Sequence, residues 1–117
     1  MGNRELKFRS WDSKNKEMDF WDVNNIPMFK TENIMQFTGF KDKNGIEIFE
    51  GDILSDWTET DEGLLQSNMQ VFWNEPTGSW HLDNSSKQDK TYSVELWLEL
   101  NDFEYEVKGN VYENVLS

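Results

Sequence analysis

Carboxylates are the side chains in this sequence that are abundant enough to carry chemistry. Four of them fall close together: Asp56, Glu59, Asp61 and Glu62. Carboxylate oxygens are the ligands that hard cations such as Ca²⁺ and Mg²⁺ prefer. Their spacing does not follow the regular acidic alternation of a calcium-binding loop, so we favour a solvated acidic loop, with a cation site as the alternative.

Glu50 and Asp52 form a second pair of carboxylates, on either side of Gly51. Side chains two residues apart in a strand share a face, as the acid and base of a two-carboxylate site must. General acid–base catalysis also needs a cleft that separates the two pKa values, and no sequence feature indicates one. We therefore interpret Asp52 as a turn residue whose carboxylate binds backbone amides.

Other reactive groups are scarce. His81 is the only histidine and there is no cysteine, so a zinc site, a disulfide or a thiolate nucleophile is not predicted. The sequence lacks a glycine-rich phosphate loop, a Gly-x-Ser-x-Gly nucleophile elbow and a His-Glu-x-x-His helix. We predict a non-enzymatic protein with no catalytic residue, no metal ligand and no cofactor. A divalent-metal hydrolase built on the two carboxylate groups is the least favoured alternative.

The formal charge of −12 is concentrated in one half of the chain. Residues 1–50 hold eight Lys and Arg against nine Asp and Glu, whereas residues 51–117 hold three against fourteen. Nucleic-acid binding normally rests on a basic patch, so direct DNA or RNA binding is disfavoured. An acidic surface instead allows a different hypothesis, in which the chain imitates a phosphate backbone and occupies a nucleic-acid-binding protein.

The elements that must position these residues are predicted to be mainly β, with α+β as the alternative. We expect one small domain of antiparallel β-hairpins, arranged as a barrel or as orthogonal sheets, with at most one or two short helices. Alternating apolar residues predict hairpins over about 4–23, 32–54 and 69–82. Asn44-Gly45 closes the second hairpin, Gly51-Asp52 makes a tight turn after it, and 74–78 closes the third.

The remaining segments are less regular. The polar stretches 55–68 and 83–90 are predicted as surface loops. Residues 91–100 alternate like a strand, which we favour, but part of the stretch also fits a helical stripe. A last strand is predicted over 103–112, interrupted by Gly109-Asn110.

Aromatic residues are in surplus, with six Trp, eight Phe and three Tyr. They predict an aromatic-rich β core, yet six tryptophans cannot all be central in so small a domain. Exposed rings rimmed by charge are typical of protein interfaces, which favours self-assembly or a protein partner. The alternative is that the rings simply fill a leucine-poor core. No run of about 20 apolar residues and no signal peptide occurs, so we expect a cytoplasmic protein that does not enter a membrane.

Three segments, in order, resemble the YopX-like proteins of bacteriophages and prophages: LKFRSWDSKNKEM, IMQFTGFKDKNGIEIFEGDIL and EVKGNVYEN. The resemblance implies one YopX-like domain over 1–117 and a phage accessory protein in the cytoplasm of a bacterial host. It also implies a homo-oligomer and protein partners from host or phage. It brings no catalytic residue.

Overall fold

The computed structural model describes residues 6–27, 32–84 and 93–113. In these ranges the chain forms nine strands and one short helix, so the prediction of a mainly β fold is confirmed. None of the helical structure described is long and apolar enough to cross a membrane. The elements are β1 Lys7–Asp12, β2 Glu17–Asp22, β3 Ile34–Lys41, β4 Glu47–Phe49, β5 Asp52–Thr60, β6 Gly63–Asn74, β7 Ser79–Asn84, β8 Ser93–Glu95, α1 Leu96–Asp102 and β9 Glu106–Asn110.

The strands form two antiparallel sheets. One sheet has four strands in the order β2-β1-β3-β4, and the other has five in the order β8-β7-β6-β5-β9. One of the sheets is curled into a half-barrel. The chain crosses from the first sheet to the second at the turn between β4 and β5.

Three predicted hairpins are present. β1 pairs with β2, β3 with β4, and β6 with β7. Each connection carries the expected turn chemistry. Asp12 Oδ1 accepts the N–H groups of Lys14 and Asn15 at 3.0 and 3.1 Å, and Gly78 has a φ of +62°, which favours glycine because it lacks a Cβ.

The prediction of a surface loop over 55–68 is wrong, because this stretch forms the long hairpin of β5 and β6. Its strands pair continuously from Ile53 opposite Gln70 to Thr60 opposite Gly63. Much of the hairpin is exposed, with Trp57 and Leu64 at 53% and 68%. Residues 59–64 are all exposed. This end of the hairpin needs no apolar alternation, so its sequence resembles that of a loop.

The favoured strand over 91–100 is also wrong for residues 96–100. Among the described residues of this stretch, Ser93–Glu95 is a strand and α1 follows at once. Leu96 and Leu100, one helical turn apart, contact the core, so the helical alternative is the correct one for these residues. Residues 85–92, including most of the predicted loop 83–90, lie outside the described residues.

The main core lies against the five-stranded sheet and is more aliphatic at its centre than predicted. Five side chains there are almost completely buried, and Trp80 and Tyr105 complete the cluster. Each such aliphatic side chain contributes about 1.5–3 kcal/mol. Of the six tryptophans only Trp80 is buried, which confirms that they are not all central. The five aliphatic residues are Ile48, Leu54, Val71, Leu82 and Leu96.

Candidate protein-interaction site

An open groove of about 330 Å³ lies at one end of the four-stranded sheet, where β1 begins and β2 ends. Its walls come from β1, β2, β4 and the segment that follows β2. We call it the aromatic groove. It is lined by Lys7, Phe8, Phe20, Trp21, Asp22, Asn25, Glu47 and Phe49.

Ring contacts between paired strands and between the two edge strands, β2 and β4, hold the aromatic groove together. Phe8 and Trp21 are direct partners in the β1–β2 register, and their rings stack with centroids 4.8 Å apart. Phe20 meets Phe49 edge to face at 5.7 Å. Phe20 nevertheless remains 63% exposed, so the contact presents a large apolar ring to solvent.

Charged and polar groups surround these rings. Lys7 forms an ion pair with Glu47 and its Nζ lies 5.3 Å from the centre of the Phe37 ring. Asp22 Oδ1 accepts the N–H of Asn24 at 2.8 Å. An apolar centre within a polar rim is the usual arrangement of a protein interface.

Strand β2 forms one edge of the four-stranded sheet. A strand at an edge presents unpaired backbone groups that another chain can pair with. Three acidic residues, Glu17, Asp19 and Asp22, lie along β2, and it carries no basic residue. Charges at an edge discourage pairing with a like-charged strand.

A buried ion pair lies beneath the aromatic groove and joins the two sheets. Arg9 Nη2 donates to Asp52 Oδ1 at 2.7 Å, and the two side chains are 7% and 1% exposed. The guanidinium also donates to the main-chain carbonyl of Glu50 at 3.3 Å and lies 4.8 Å from the centre of the Phe49 ring. No local sequence pattern indicates the role of Arg9, because its partner is 43 residues away.

Asp52 accepts one backbone amide beside the turn, and its other oxygen binds Arg9, which the interpretation as a turn residue did not include. Asp52 Oδ2 accepts the Phe49 N–H at 2.7 Å, and Gly51 has a φ of +86°. Burial raises the pKa of Asp52, while Arg9 and the Phe49 N–H oppose the rise. The carboxylate of Glu50 accepts the Gln36 N–H at 3.3 Å instead. Glu50 and Asp52 therefore have different partners and do not share a proton.

A family model described as YopX protein matches residues 22–116. That range includes β3, β4 and β5, the Gly51-Asp52 turn and the last strand. The chain belongs to the YopX family. A search of curated proteins finds no match.

The other turn residues of this YopX domain divide into one confirmed and one corrected prediction. Gly45, with a φ of +82°, donates to Asp42 O at 3.0 Å and closes the turn with Asn44 as predicted. Gly109 and Asn110 do not interrupt the last strand, since β9 includes both. The extra residue Lys108 makes a bulge against β5 instead. Asn110 ends the strand, and its Oδ1 accepts the Tyr112 and Glu113 N–H groups.

Asp42 is a structural residue of the YopX domain that sequence reasoning missed. It is 7% exposed, and its Oδ1 accepts the N–H groups of Asn44 and Ile46 at 2.8 and 2.9 Å. Its Oδ2 accepts the Val107 N–H at 2.9 Å. The one available signal was an Asp two residues before Asn44-Gly45, which is typical of a turn. That signal does not extend to strand β9.

The four carboxylates of the predicted acidic loop are not brought together. Asp56 and Glu59 lie an odd number of residues apart on β5, so they face opposite sides of the sheet. Asp61 and Glu62 form the exposed tip of the β5–β6 hairpin. In residues 6–27, 32–84 and 93–113, no group of three or more His, Cys, Asp or Glu is placed to hold a metal ion.

His81 is buried and both of its ring nitrogens face hydroxyl groups. Nδ1 lies 2.8 Å from Ser93 Oγ and Nε2 lies 3.1 Å from Thr77 Oγ1. The ring packs edge to face against Phe72 at 6.0 Å. These contacts connect β7 to β8 and to the turn before β7, and they give His81 a structural position in the sheet.

Proposed function

We propose that this YopX-family chain is a non-enzymatic accessory protein of a phage or prophage that acts by binding other proteins in the cytoplasm of its bacterial host. Its partners are a host or phage protein and further copies of the chain itself. The observation that supports this most is the aromatic groove, with Phe20 63% exposed inside a charged rim. Rings in that setting are enriched at protein interfaces.

Self-association of this chain has to overcome its own charge of −12. Salt screens that repulsion, because the Debye length falls from about 10 Å at 0.1 M to about 3 Å at 1 M. An apolar contact centred on Phe20 is not weakened by screening. The oligomer is therefore expected to become more stable as salt is added.

Light scattering at micromolar concentration and rising salt tests this. We expect a mass above the 13.9 kDa of the single chain, and Phe20→Ser should return the mass to that of the monomer. Ile46→Ser is the matched control, since Ile46 is 52% exposed but lies on the β3–β4 connection. A monomer at every salt concentration would remove the oligomer from the proposal. An equal loss of the oligomer with Ile46→Ser would show that the interface is not at the aromatic groove.

The β5–β6 hairpin supports a second candidate function, an acidic decoy for a nucleic-acid-binding protein of the host. The hairpin carries Asp56, Glu59, Asp61 and Glu62, and none of them forms an ion pair with a described Lys or Arg. Unpaired carboxylates on a long projecting element can occupy a basic groove made for phosphates. Such binding weakens steeply with salt, in contrast to the apolar contact above.

Capture from host lysate at low and high salt separates the two candidates when two variants are included. The decoy predicts nucleic-acid-binding proteins that are released by salt and are lost when the four hairpin carboxylates become amides. The first proposal predicts capture that resists salt and is lost with Phe20→Ser. Salt-resistant capture that neither variant reduces would contradict both.

A further inference from the structure

A second groove, of about 460 Å³, lies between the two sheets. We call it the inter-sheet groove. It is lined by Gln36 of β3, Glu50 of the β4–β5 turn, Trp73 of β6 and Trp80 of β7. Its volume is within the range of small-ligand and side-chain pockets.

Two indole rings form one side of the inter-sheet groove. Trp73 and Trp80 are direct partners in the β6–β7 register, and their rings are 5.0 Å apart at an angle of 72°. Trp73 is 36% exposed, whereas Trp80 is 7% exposed. One ring is thus fixed by the core, and the other is held against it with much of its surface open.

A carboxylate forms the opposite side. Glu50 is tied to β3, since its N–H donates to Gln36 O at 2.9 Å and its Oε1 accepts the Gln36 N–H at 3.3 Å. Arg9 bonds the main-chain carbonyl of Glu50 and not its side chain. No described Lys or Arg forms an ion pair with this half-buried carboxylate.

Trp80 is part of the core and its Nε1 is closed to solvent. The indole face open to a ligand in this groove is therefore that of Trp73.

We propose that the inter-sheet groove binds an arginine side chain of a partner protein. A planar guanidinium stacks on an indole face and pairs with a carboxylate through two parallel N–H groups, so it satisfies Trp73 and Glu50 at once. The net charge of −12 attracts a basic segment to this surface. The proposal does not depend on the aromatic groove, which has different walls.

Titration of the chain labelled with 5-fluorotryptophan, followed by ¹⁹F NMR, tests the proposal. The probes are N-acetylarginine amide, N-acetyllysine amide and N-acetylcitrulline amide, the last being a neutral analogue of arginine. We expect the Trp73 and Trp80 resonances, assigned from Trp→Phe variants, to shift saturably with the arginine probe. The lysine probe should bind more weakly, and the citrulline probe should leave the resonances in place.

Two variants connect the shift to the groove. Glu50→Gln removes the charge but keeps an oxygen for the Gln36 N–H, and it should weaken arginine binding on the order of tenfold. Glu59→Gln makes the same charge change on the exposed hairpin and should have no effect. If Glu50→Gln disturbs folding, Trp73→Leu at the exposed ring should abolish the shift of Trp80.

Three results would overturn the proposal. Equal shifts with the citrulline probe would show that charge is not recognised, and equal shifts of all six tryptophans would show that the groove is not the site. Tighter binding of the lysine probe would reject the assignment to a guanidinium.

Discussion

Asp42 and Asp52 are two buried aspartates at the two ends of the β3–β4 hairpin, and both join the two sheets. Asp42 is 7% exposed and Asp52 is 1% exposed. Asp42 accepts three backbone N–H groups, which are neutral. Asp52 accepts one N–H and one guanidinium. The same residue type therefore connects the sheets through the backbone at one end and through an ion pair at the other.

This difference shows which of the two contacts other side chains could replace without loss of stability. An ion pair buried away from water gains Coulomb energy but loses hydration, so two apolar side chains of similar size can take its place at little cost. Three backbone N–H groups cannot be exchanged for apolar groups, since every residue carries one. The Asp42 contact is thus the less replaceable of the two, although it involves no charged partner.

Asp52→Ala is expected to have the largest effect, about 3–5 kcal/mol of unfolding free energy, because it leaves the Arg9 guanidinium buried without a counter-charge. Urea denaturation measures the loss. Glu59→Ala on the exposed hairpin is the control and should change stability by less than about 0.5 kcal/mol.

The double variant Arg9→Met with Asp52→Leu tests whether apolar side chains can replace the ion pair. It should recover most of the loss and remain about 1–2 kcal/mol below the original chain, since the Phe49 N–H still lacks its acceptor. A double variant as unstable as Asp52→Ala would show that the ion pair itself is required.

Asp42→Ala should cost about 2–3 kcal/mol, because the Val107 N–H loses its acceptor inside the structure while the two turn N–H groups can meet water. Asp42→Asn should cost less, since its amide oxygen still accepts. Hydrogen exchange at the Val107 amide reports the broken contact directly. Protection of that amide unchanged in Asp42→Ala would contradict the role given to Asp42.

Gly51→Ala and Gly45→Ala compare the two turns at nearly the same φ, +86° and +82°. A methyl group at Gly45 meets nothing within 4 Å, so only the backbone strain of about 1 kcal/mol is expected. At Gly51 the methyl would lie 3.3 Å from Met35 Sδ and from Val111 Cγ2. The Gly51 variant should therefore be less stable by about a further 1 kcal/mol in thermal unfolding. Equal melting temperatures would mean that these two side chains move aside freely.

Asp12 also accepts N–H groups of a turn, but it is not among the buried residues. We expect its contribution to the free energy of unfolding to be the smallest of the three aspartates. Hydrogen bonds from the Asn15 backbone and side chain lower the pKa of Asp12 from its ordinary value, the opposite direction from Asp52. A lowered pKa means that the contribution of Asp12 to stability is present above the unfolded-state pKa and is lost as pH falls through the folded value. NMR titration of the Asp12 carboxyl carbon checks the direction, and Asn15→Ala should move the pKa upward.

The hairpins and their turns were predictable because their signals are local. Asn44-Gly45 and the 74–78 turn act within a few residues, and alternation on either side is enough to place the strands. The β5–β6 hairpin was missed for the opposite reason, since its exposed faces leave no apolar period. Helix α1 was missed because Leu96 and Leu100 fit the alternation of a strand. Trp97 and Leu98, which belonged to the helical alternative, are exposed in the helix.

The candidate sites were predictable only in part. The aromatic surplus indicated that several rings lie at the surface, and three of the six tryptophans do. Of these three, Trp73 lines the inter-sheet groove, whose other walls include β3 and the β4–β5 turn, which are distant from it in sequence. The carboxylates show the reverse, since Glu50 and Asp52 lie two residues apart in the sequence but have different partners.

The sequence by itself determined the YopX family, three β-hairpins, the place of Asp52 at a turn and the acidic C-terminal half. Each of these depends on residue types or on spacings of a few residues. Only the tertiary structure decided the distant partners of Arg9 and Asp42, which lie 43 and 65 residues away. It also decided that Glu50, Trp73 and Trp80 line the same groove. The physical reason is that sheet order and curvature bring these groups together, and local periodicity carries no information about either.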